Sequence, residues 1–272
     1  TALQRELEQA GRFDYVVHIA GTTKALKRED YFRANTEYTR RFVDILHGER
    51  LRPEKFLFLS SLAALGPVNG RERIHPGRKP APVTAYGASK LAAEQYLERL
   101  SEFPWVALQP AGVFGPRDKD ILEFIRLVNK GFEFYIGARP QNVSLIYVKD
   151  LAEMMLAALE HGVTGRKYIA TDSRDYTTDD LGQAVRETLN RRTLRLRLPL
   201  SVVGVIASIS ETLGRWRGRM PAFNREKLNE IGEAGWWSDV SQTFEELHFT
   251  PRYDLFSGMQ ETVAWYREKK WI

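Results

Sequence analysis

Tyr86 and Lys90 have side-chain types and a spacing that suit proton transfer. They are four residues apart in a stretch with a helical pattern, so both project from one helix face. A phenol titrates near pH ~10 in water, and a neighbouring ammonium lowers its pKa because it favours the phenolate. Such a phenol can donate or accept a proton near neutrality.

Ser61 lies 25 residues before Tyr86 and could hydrogen-bond the same substrate oxygen. The three side chains therefore predict proton transfer at a carbinol oxygen, with the hydride supplied by a cofactor. A second tyrosine–lysine pair at this spacing, Tyr266 and Lys270, shows that the pair alone carries little weight. Only the Tyr86 pair follows an apolar run that ends on two serines.

The residues around this group alternate between strand and helix patterns. Continuous apolar runs predict strands buried on both faces at residues 15–20, 55–59 and 105–109. Apolar residues three and four positions apart predict helices over residues 29–47 and 85–100. This order predicts right-handed crossovers and a parallel sheet.

Ligands of such sheets bind beyond the carboxyl ends of the strands, so we expect the loops at Gly21, Ser61 and Pro110 to share one rim. Beyond Pro110 the pattern is looser. It predicts, in order, a helix, a strand, a helix, a strand and a helix over residues 120–130, 143–148, 150–160, 167–170 and 179–189.

The composition is that of a soluble globular protein, with 43% hydrophobic and 28% charged residues among 272. There is no cysteine, which excludes disulfides, thiolate metal sites and a cysteine nucleophile. We predict no metal site and a cytoplasmic location. The longest apolar run, residues 198–209, is interrupted by Pro199 and is too short to span a membrane, so only weak peripheral membrane contact stays open.

The net charge of +5 is concentrated in a run of arginines between residues 186 and 219. This run forms either a solvated basic face or a patch for an anionic substrate or membrane surface. Aromatic residues are sparse there, so nucleic acid is not predicted as a partner. The arginines concerned are Arg186, Arg191, Arg192, Arg195, Arg197, Arg215, Arg217 and Arg219.

Six segments together resemble the extended short-chain dehydrogenases/reductases, the NAD(P)-dependent epimerase/dehydratase group. They are Val17–Gly21, Asn35, Phe58–Gly66, Tyr86–Lys90, Gln109–Pro116 and Ile146–Ala152. The resemblance implies an α/β fold, a Rossmann-type doubly wound parallel sheet with a smaller, mostly helical C-terminal lobe. It assigns residues 1–112 and 142–170 to the dinucleotide-binding domain, and 113–141 and 171–272 to the substrate lobe.

The resemblance also implies NAD or NADP as cofactor, a small-molecule substrate, and a homodimer formed by the helices over 29–47 and 86–100. Ser61, Tyr86 and Lys90 would be the catalytic residues, with Lys90 holding the nicotinamide ribose. For Asn35 a purely structural role is the alternative. The residues implied to contact the cofactor are Ala20, Gly21, Thr22, Asn35, Ser60, Tyr86, Lys90, Pro110, Ala111, Gly112 and Val113.

Two departures from the family pattern matter. The family opens with a glycine-rich turn that binds the cofactor pyrophosphate, and this sequence has no such motif. We therefore expect a fragment that lacks roughly sixty residues in front and is inactive alone, or a natural short form. The part that would distinguish NAD from NADP is missing with it.

The second departure concerns the substrate. Nucleotide-sugar members carry an Arg-Asp pair where this chain has Val143-Ser144, which argues against a nucleotide-sugar substrate. The segments Arg197–Leu200, Glu246–Arg252 and Thr262–Tyr266 look like the branch of hydroxysteroid dehydrogenases and dihydroflavonol reductases. An apolar set there either lines a substrate lobe or simply packs helices: Leu198, Val202, Val203, Val205 and Ile206.

These observations predict an enzyme, a dehydrogenase or reductase acting on a secondary alcohol or ketone of a bulky, apolar or glycosidic molecule. The first alternative is a nucleotide-sugar epimerase or dehydratase, in which arginines of the basic run would bind phosphates. A non-catalytic cofactor sensor is the alternative from another class, and the intact Ser61, Tyr86 and Lys90 set argues against it.

Overall fold

A four-stranded parallel sheet forms the centre of the fold. The computed structural model describes residues 2–47, 51–68, 72–199, 202–204 and 235–272. The sheet contains, in spatial order, β1 (Tyr15–His18), β2 (Lys55–Leu59), β3 (Trp105–Pro110) and β8 (Arg166–Ala170). All neighbouring strands pair in parallel, as the alternation of strand and helix patterns predicted.

The other elements connect these strands or build a second layer. The helices are α1 (Ala2–Ala10), α2 (Arg28–Phe32), α3 (Tyr38–Leu46), α4 (Ala85–Glu98), α5 (Lys119–Asn129), α6 (Val148–Glu160), α7 (Thr178–Leu189), α8 (Ser241–Leu247) and α9 (Leu255–Glu268). The short strands are β4 (Gly112–Phe114), β5 (Phe132–Ile136), β6 (Asn142–Val143), β7 (Leu145–Tyr147), β9 (Tyr176–Thr177) and β10 (Leu194–Leu198).

Helices cover both faces of the sheet because side chains alternate along each strand. Phe56 and Phe58 of β2 point to one face, where they pack in a core cluster with residues of α3 and α4. Leu57 points to the other face and packs with Met154 and Ala158 of α6. The doubly wound arrangement expected from the sequence is therefore confirmed.

The edge strand β1 differs from its prediction. It was predicted to be buried on both faces, but Tyr15 and Val17 are 50% and 40% exposed. β1 pairs only with β2 among the described strands, and the described residues leave the face that carries Tyr15 and Val17 open. His18 on the opposite face is buried, so an apolar run alone did not distinguish a one-sided strand from a two-sided one.

A further core cluster lies among the elements that follow β3. It joins α5, α7 and α9 to β4 and β7 through large buried side chains such as Phe114, Tyr147 and Tyr266. The Tyr266 hydroxyl donates a hydrogen bond to the Asp118 carbonyl at 2.7 Å. Tyr266 of the second tyrosine–lysine pair is therefore part of a core cluster, whereas Lys270 is exposed.

Two features of this half could not be read from local patterns. β5 and β10 pair in parallel as a two-stranded ribbon that the sequence did not predict. Leu247, the last residue of α8, and Phe249 beyond it pack with Val106 and Leu108 of β3 in the central sheet. Among the described residues, no helix is both long enough and apolar enough to cross a membrane.

Candidate active site

The two serines after β2 lie on the rim formed by the strand ends. Ser60 is buried, and its N–H donates to the Leu108 carbonyl of β3 at 2.8 Å. Ser61 caps a short 3₁₀ turn, Leu62–Ala64, and its hydroxyl accepts a hydrogen bond from the Ala63 N–H at 3.2 Å. The end of the strand and the cap together fix where both hydroxyls lie.

Helix α4 brings Tyr86 and Lys90 to the same rim. Thr84 caps the helix, since its hydroxyl accepts a hydrogen bond from the Gly87 N–H at 3.0 Å. At Gly87 a side chain would overlap the Ala63 carbonyl, so the glycine allows the helix to lie directly against the turn that Ser61 caps. The Tyr86 ring lies 6.3 Å from the ring of Tyr31 on α2.

Lys90 is held at the carboxyl end of β2. Its Nζ donates to the Leu59 carbonyl at 2.7 Å and lies 5.0 Å from the centre of the Phe58 ring. The residue is only 4% exposed. Burial lowers the pKa of Lys90 to about 8, while the negative charge of Glu94 acts in the opposite direction.

Asn35 ties the loop after β1 to α4. It is fully buried on a π-helical turn, Arg33–Glu37, between α2 and α3. Its Oδ1 accepts a hydrogen bond from the Thr22 N–H at 2.7 Å, and its Nδ2 donates to Ser89 Oγ at 2.9 Å. Ser89 Oγ in turn donates to the Tyr86 carbonyl at 2.7 Å. These hydrogen bonds connect the loop after β1 to α4, and the cofactor contact predicted for Asn35 stays a prediction.

His18 of β1 is connected through Thr39 to the hydrogen bonds of Asn35. Its Nε2 lies 2.9 Å from Thr39 Oγ1, which donates to the Asn35 carbonyl at 2.8 Å. Because the Thr39 hydroxyl has only one proton, it must accept the proton of His18 Nε2. Burial, and to a lesser extent the charge of Lys90, lower the pKa of His18 to about 4, so the ring is neutral near pH 7. No motif or spacing in the sequence predicted a role for this histidine.

The predicted site residues meet at one cavity of about 830 Å³. Ala20, which is exposed, and Asn35, which is buried, do not line this cavity. All other predicted site residues line the cavity: Gly21, Thr22, Ser60, Ser61, Tyr86, Lys90, Pro110, Ala111, Gly112 and Val113. The strand-end loops therefore share one rim, as predicted.

The far side of the cavity is largely apolar and is formed by elements that follow β3 in the chain. It includes Phe124, Phe134, Ile136, Val143, Leu145, Leu181 and Trp236. Its polar groups are mostly neutral, among them Gln141, Asn142, Ser144 and Thr178. Lys24, from the loop after β1, forms an ion pair of 2.6 Å with Asp120 of α5, and both residues line the cavity.

The profile of the NAD dependent epimerase/dehydratase family matches residues 1–170. The chain belongs to this family. Among curated relatives, the sterol-4-alpha-carboxylate 3-dehydrogenase erg26, decarboxylating, of Schizosaccharomyces pombe is 24% identical over 270 residues, 94% of this chain and 78% of the relative. Sterol demethylase protein B of Methylococcus capsulatus is 25% identical over 259 residues, 90% of this chain and 75% of the relative.

Solved structures of epimerase/dehydratase type share the fold. UDP-glucuronic acid 4-epimerase from Bacillus cereus in complex with NAD superposes with a TM-score of 0.77 at 18% identity, covering 99% of this chain and 78% of that one. RMD from Pseudomonas aeruginosa complexed with NADPH superposes with a TM-score of 0.76 at 16% identity, and the match covers 94% of this chain and 82% of that one. At these identities the likeness confirms the Rossmann-type architecture alone.

The residues of this epimerase/dehydratase member fit the nicotinamide end of its NAD(P) cofactor. The Tyr86 hydroxyl and the Lys90 ammonium face the cavity, as do the hydroxyl oxygens of Thr22 and Ser60, whose protons go to the Lys24 carbonyl and to Glu94. Donors and acceptors of this kind suit ribose hydroxyls, which both donate and accept. At Gly112 a Cβ would lie 2.9 Å from the Leu145 side chain, so the lack of a side chain keeps this part of the wall clear. No group of three metal-ligating side chains occurs in the described part of the chain.

The described arginines of the run between residues 186 and 219 do not line the cavity. Arg186 pairs with buried Glu133, and Arg197 pairs with Asp179. No described arginine lines the cavity. The predicted residues Arg215, Arg217 and Arg219, like Val205 and Ile206, lie outside the described residues.

Proposed function

We propose that this chain carries the catalytic site of an NAD(P)-dependent dehydrogenase or reductase that acts on a secondary alcohol or ketone of a bulky, largely apolar molecule. One observation carries the proposal. Ser61, Tyr86 and Lys90 line the same cavity as the loop from Pro110 to Val113, opposite a wall of apolar side chains.

Each of the three side chains has a distinct role in the proposal. Tyr86 transfers a proton between its phenol oxygen and the substrate oxygen, as general acid or base. The Ser61 hydroxyl hydrogen-bonds that oxygen and orients it. Lys90, whose pKa burial lowers to about 8, is an ammonium near neutrality and favours the Tyr86 phenolate. The bound cofactor donates or accepts the hydride.

The substrate class is supported by the cavity and by the relatives. Aromatic and aliphatic side chains, including Phe124, Phe134 and Trp236, would contact an apolar body. Curated relatives over nearly the whole chain are named as a sterol-4-alpha-carboxylate dehydrogenase and a sterol demethylase protein. We therefore propose a fused-ring or similarly lipophilic alcohol as substrate.

A nucleotide sugar fits the described cavity less well. Val143 and Ser144 line it where nucleotide-sugar members carry an Arg-Asp pair, and Lys24, a cation on its wall, is neutralised by Asp120. A diphosphate there would have no arginine among the described lining residues to bind it.

The test is a substrate panel run with the intact protein and with both NAD⁺ and NADP⁺. We expect turnover of 3-hydroxysteroids, followed as NAD(P)H absorbance, and none of UDP- or dTDP-sugars. Epimerisation or dehydration of a nucleotide sugar, without steroid oxidation, would refute the proposed substrate class and favour the alternative.

We also propose a homodimer through α2, α3 and α4. The proposal is supported by the side-by-side packing of these helices, where the Tyr96 hydroxyl bonds the Asp44 carboxylate, and by exposed Tyr38, at 52%. Light scattering on wild type and Tyr38→Glu tests it, with a monomeric wild type as the contrary result.

The two-domain division at residues 1–112 with 142–170 stays a proposal, as does the cytoplasmic location, which cell fractionation would check.

A further inference from the structure

Glu94 lies one helical turn beyond Lys90 on α4, and the proposed reaction leaves it without a role. Tyr86, Lys90 and Glu94 are spaced by four residues, so they form one stripe along the helix. The Glu94 side chain is fully buried. A buried carboxyl group is costly unless it is paired, so its surroundings need an explanation.

Three donors from neighbouring strands surround the Glu94 carboxyl group. Oε1 accepts hydrogen bonds from the Ser60 hydroxyl and, at 2.9 Å, from Gln109 Nε2. Oε2 lies 3.4 Å from the Lys167 ammonium, which is 19% exposed. These residues follow β2 and belong to β3 and β8, so the carboxyl group connects three adjacent strands under the rim.

The geometry fits a carboxylate rather than a carboxylic acid. Burial raises the pKa of Glu94 above its ordinary value, and Lys167, Ser60 and Gln109 offset this only in part, so the assignment of a carboxylate rests on the donors around its oxygens. A protonated carboxyl would need an acceptor for its O–H, and Oε2 makes no hydrogen bond to any described group. Oε1 accepts from two donors, and the Lys167 ammonium places a positive charge near Oε2, so the described surroundings stabilise negative charge.

We propose that Glu94 is a positioning residue, whose carboxylate keeps Lys90 protonated and holds the Ser60 hydroxyl in place. The inference rests on the proposed role of Tyr86 and Lys90. It explains how an ammonium can persist at a site that is 4% exposed, since burial alone lowers the pKa of Lys90 and the charge of Glu94 opposes this effect.

Among the described residues, the other titratable groups near Lys90 and Glu94 include His18, Tyr86 and Lys167. Burial keeps His18 of β1 neutral near pH 7. Tyr86 lies on the same helix as the pair. Lys167 of β8 also pairs with Glu98, at 2.7 Å, one turn further along α4. Glu98 is 43% exposed and shares Lys167 with Glu94, so it provides a matched control.

The direct test titrates the Lys90 ammonium by ¹⁵N NMR in the full chain without cofactor. Wild type, Glu94→Gln and Glu98→Gln are compared. Glutamine keeps an acceptor oxygen for Ser60, removes the charge and replaces the second oxygen, beside Lys167, by an NH2 group. We expect a lower titration midpoint for Lys90 in Glu94→Gln and an unchanged one in Glu98→Gln. Equal midpoints in all three proteins would overturn the inference.

A second measurement needs no variant and covers the case in which Glu94→Gln does not fold. The ¹³C shift of the Glu94 carboxyl in the unchanged chain should report an ionised group at pH 7. A protonated carboxyl at pH 7 would overturn the inference. Neither readout depends on turnover, so they remain informative even where the proposed reaction fails its own test.

The pH dependence of turnover in the intact protein provides a third test, because a purely structural role of Glu94 would not change that dependence. In Glu94→Gln the loss of activity should be about tenfold greater at pH 9 than at pH 6.5, because Lys90 loses its proton at a lower pH. A loss that is the same at both pH values would contradict the electrostatic role of Glu94.

Discussion

Gly87 of α4 packs directly against the carbonyl of Ala63 in the 3₁₀ turn, and a side chain at position 87 would overlap that oxygen. This approach places the helix that carries Tyr86 and Lys90 beside the turn that Ser61 caps. The absence of a side chain at Gly87 therefore allows α4 to lie close to the turn that Ser61 caps.

Gly87→Ala should therefore separate α4 from the Ser61 turn. We expect a destabilisation of about 1–3 kcal/mol, since the added methyl overpacks a rigid contact, and at least a roughly tenfold loss of turnover, because small misplacements of catalytic groups are costly. Urea unfolding and steady-state kinetics measure the two effects. Gly77→Ala is the control, because a Cβ at Gly77 meets no atom within 4 Å; equal effects at both positions would contradict the explanation.

Tyr86→Phe should nearly abolish turnover, by roughly a thousandfold or more, because general acid–base catalysis contributes about 10²–10⁴. Cofactor binding and thermal stability should change little. Tyr266→Phe is a matched control that removes the hydroxyl from the structural pair. It should lower stability by about 1 kcal/mol, since the bond to the Asp118 carbonyl is lost, while activity persists. An active Tyr86→Phe protein would refute the proposed mechanism.

Asn35→Ala should weaken cofactor binding without removing a group from the cavity wall. The substitution leaves the Thr22 N–H and Ser89 Oγ without their present partner, so we expect the loop at Gly21 and Thr22 to lose its fixed position. Roughly tenfold weaker NAD(P)H binding, measured by fluorescence in the intact protein, is the predicted result. Asn129→Ala, which removes a surface contact with Arg191, should bind cofactor normally; unchanged binding in both variants would argue against a positioning role.

His18 should make the fold sensitive to acid. Its pKa is lowered to about 4 by burial from an ordinary value of 6.5, so between these values the unfolded chain binds more protons than the folded one. The corresponding stability is present above pH 6.5 and is lost as the pH falls toward 4, a total of about 3 kcal/mol. Urea unfolding at pH 7 and pH 4.5 should show a smaller difference for His18→Gln than for wild type. An identical acid dependence in both would disprove the assignment.

Most elements of the sheet could be predicted because their signals are local. The apolar run at residues 55–59 predicted β2 with its observed bounds, and the helix predicted over residues 179–189 is α7, which begins with a capping box between Thr177 and Asp180. β10 was missed although leucine and arginine alternate along Leu194–Leu198. Its pairing with β5 joins segments about sixty residues apart, and local periodicity does not encode such a partner.

The sequence by itself determined the family and predicted the trio of Ser61, Tyr86 and Lys90, because residue type, a four-residue helical spacing and a strand that ends on two serines are local properties. Only the tertiary structure decided which groups support that trio. Asn35 bonds Ser89 across 54 positions, and Glu94 collects donors from three strands. Such roles depend on which distant residues burial brings together, and no spacing along the chain specifies them.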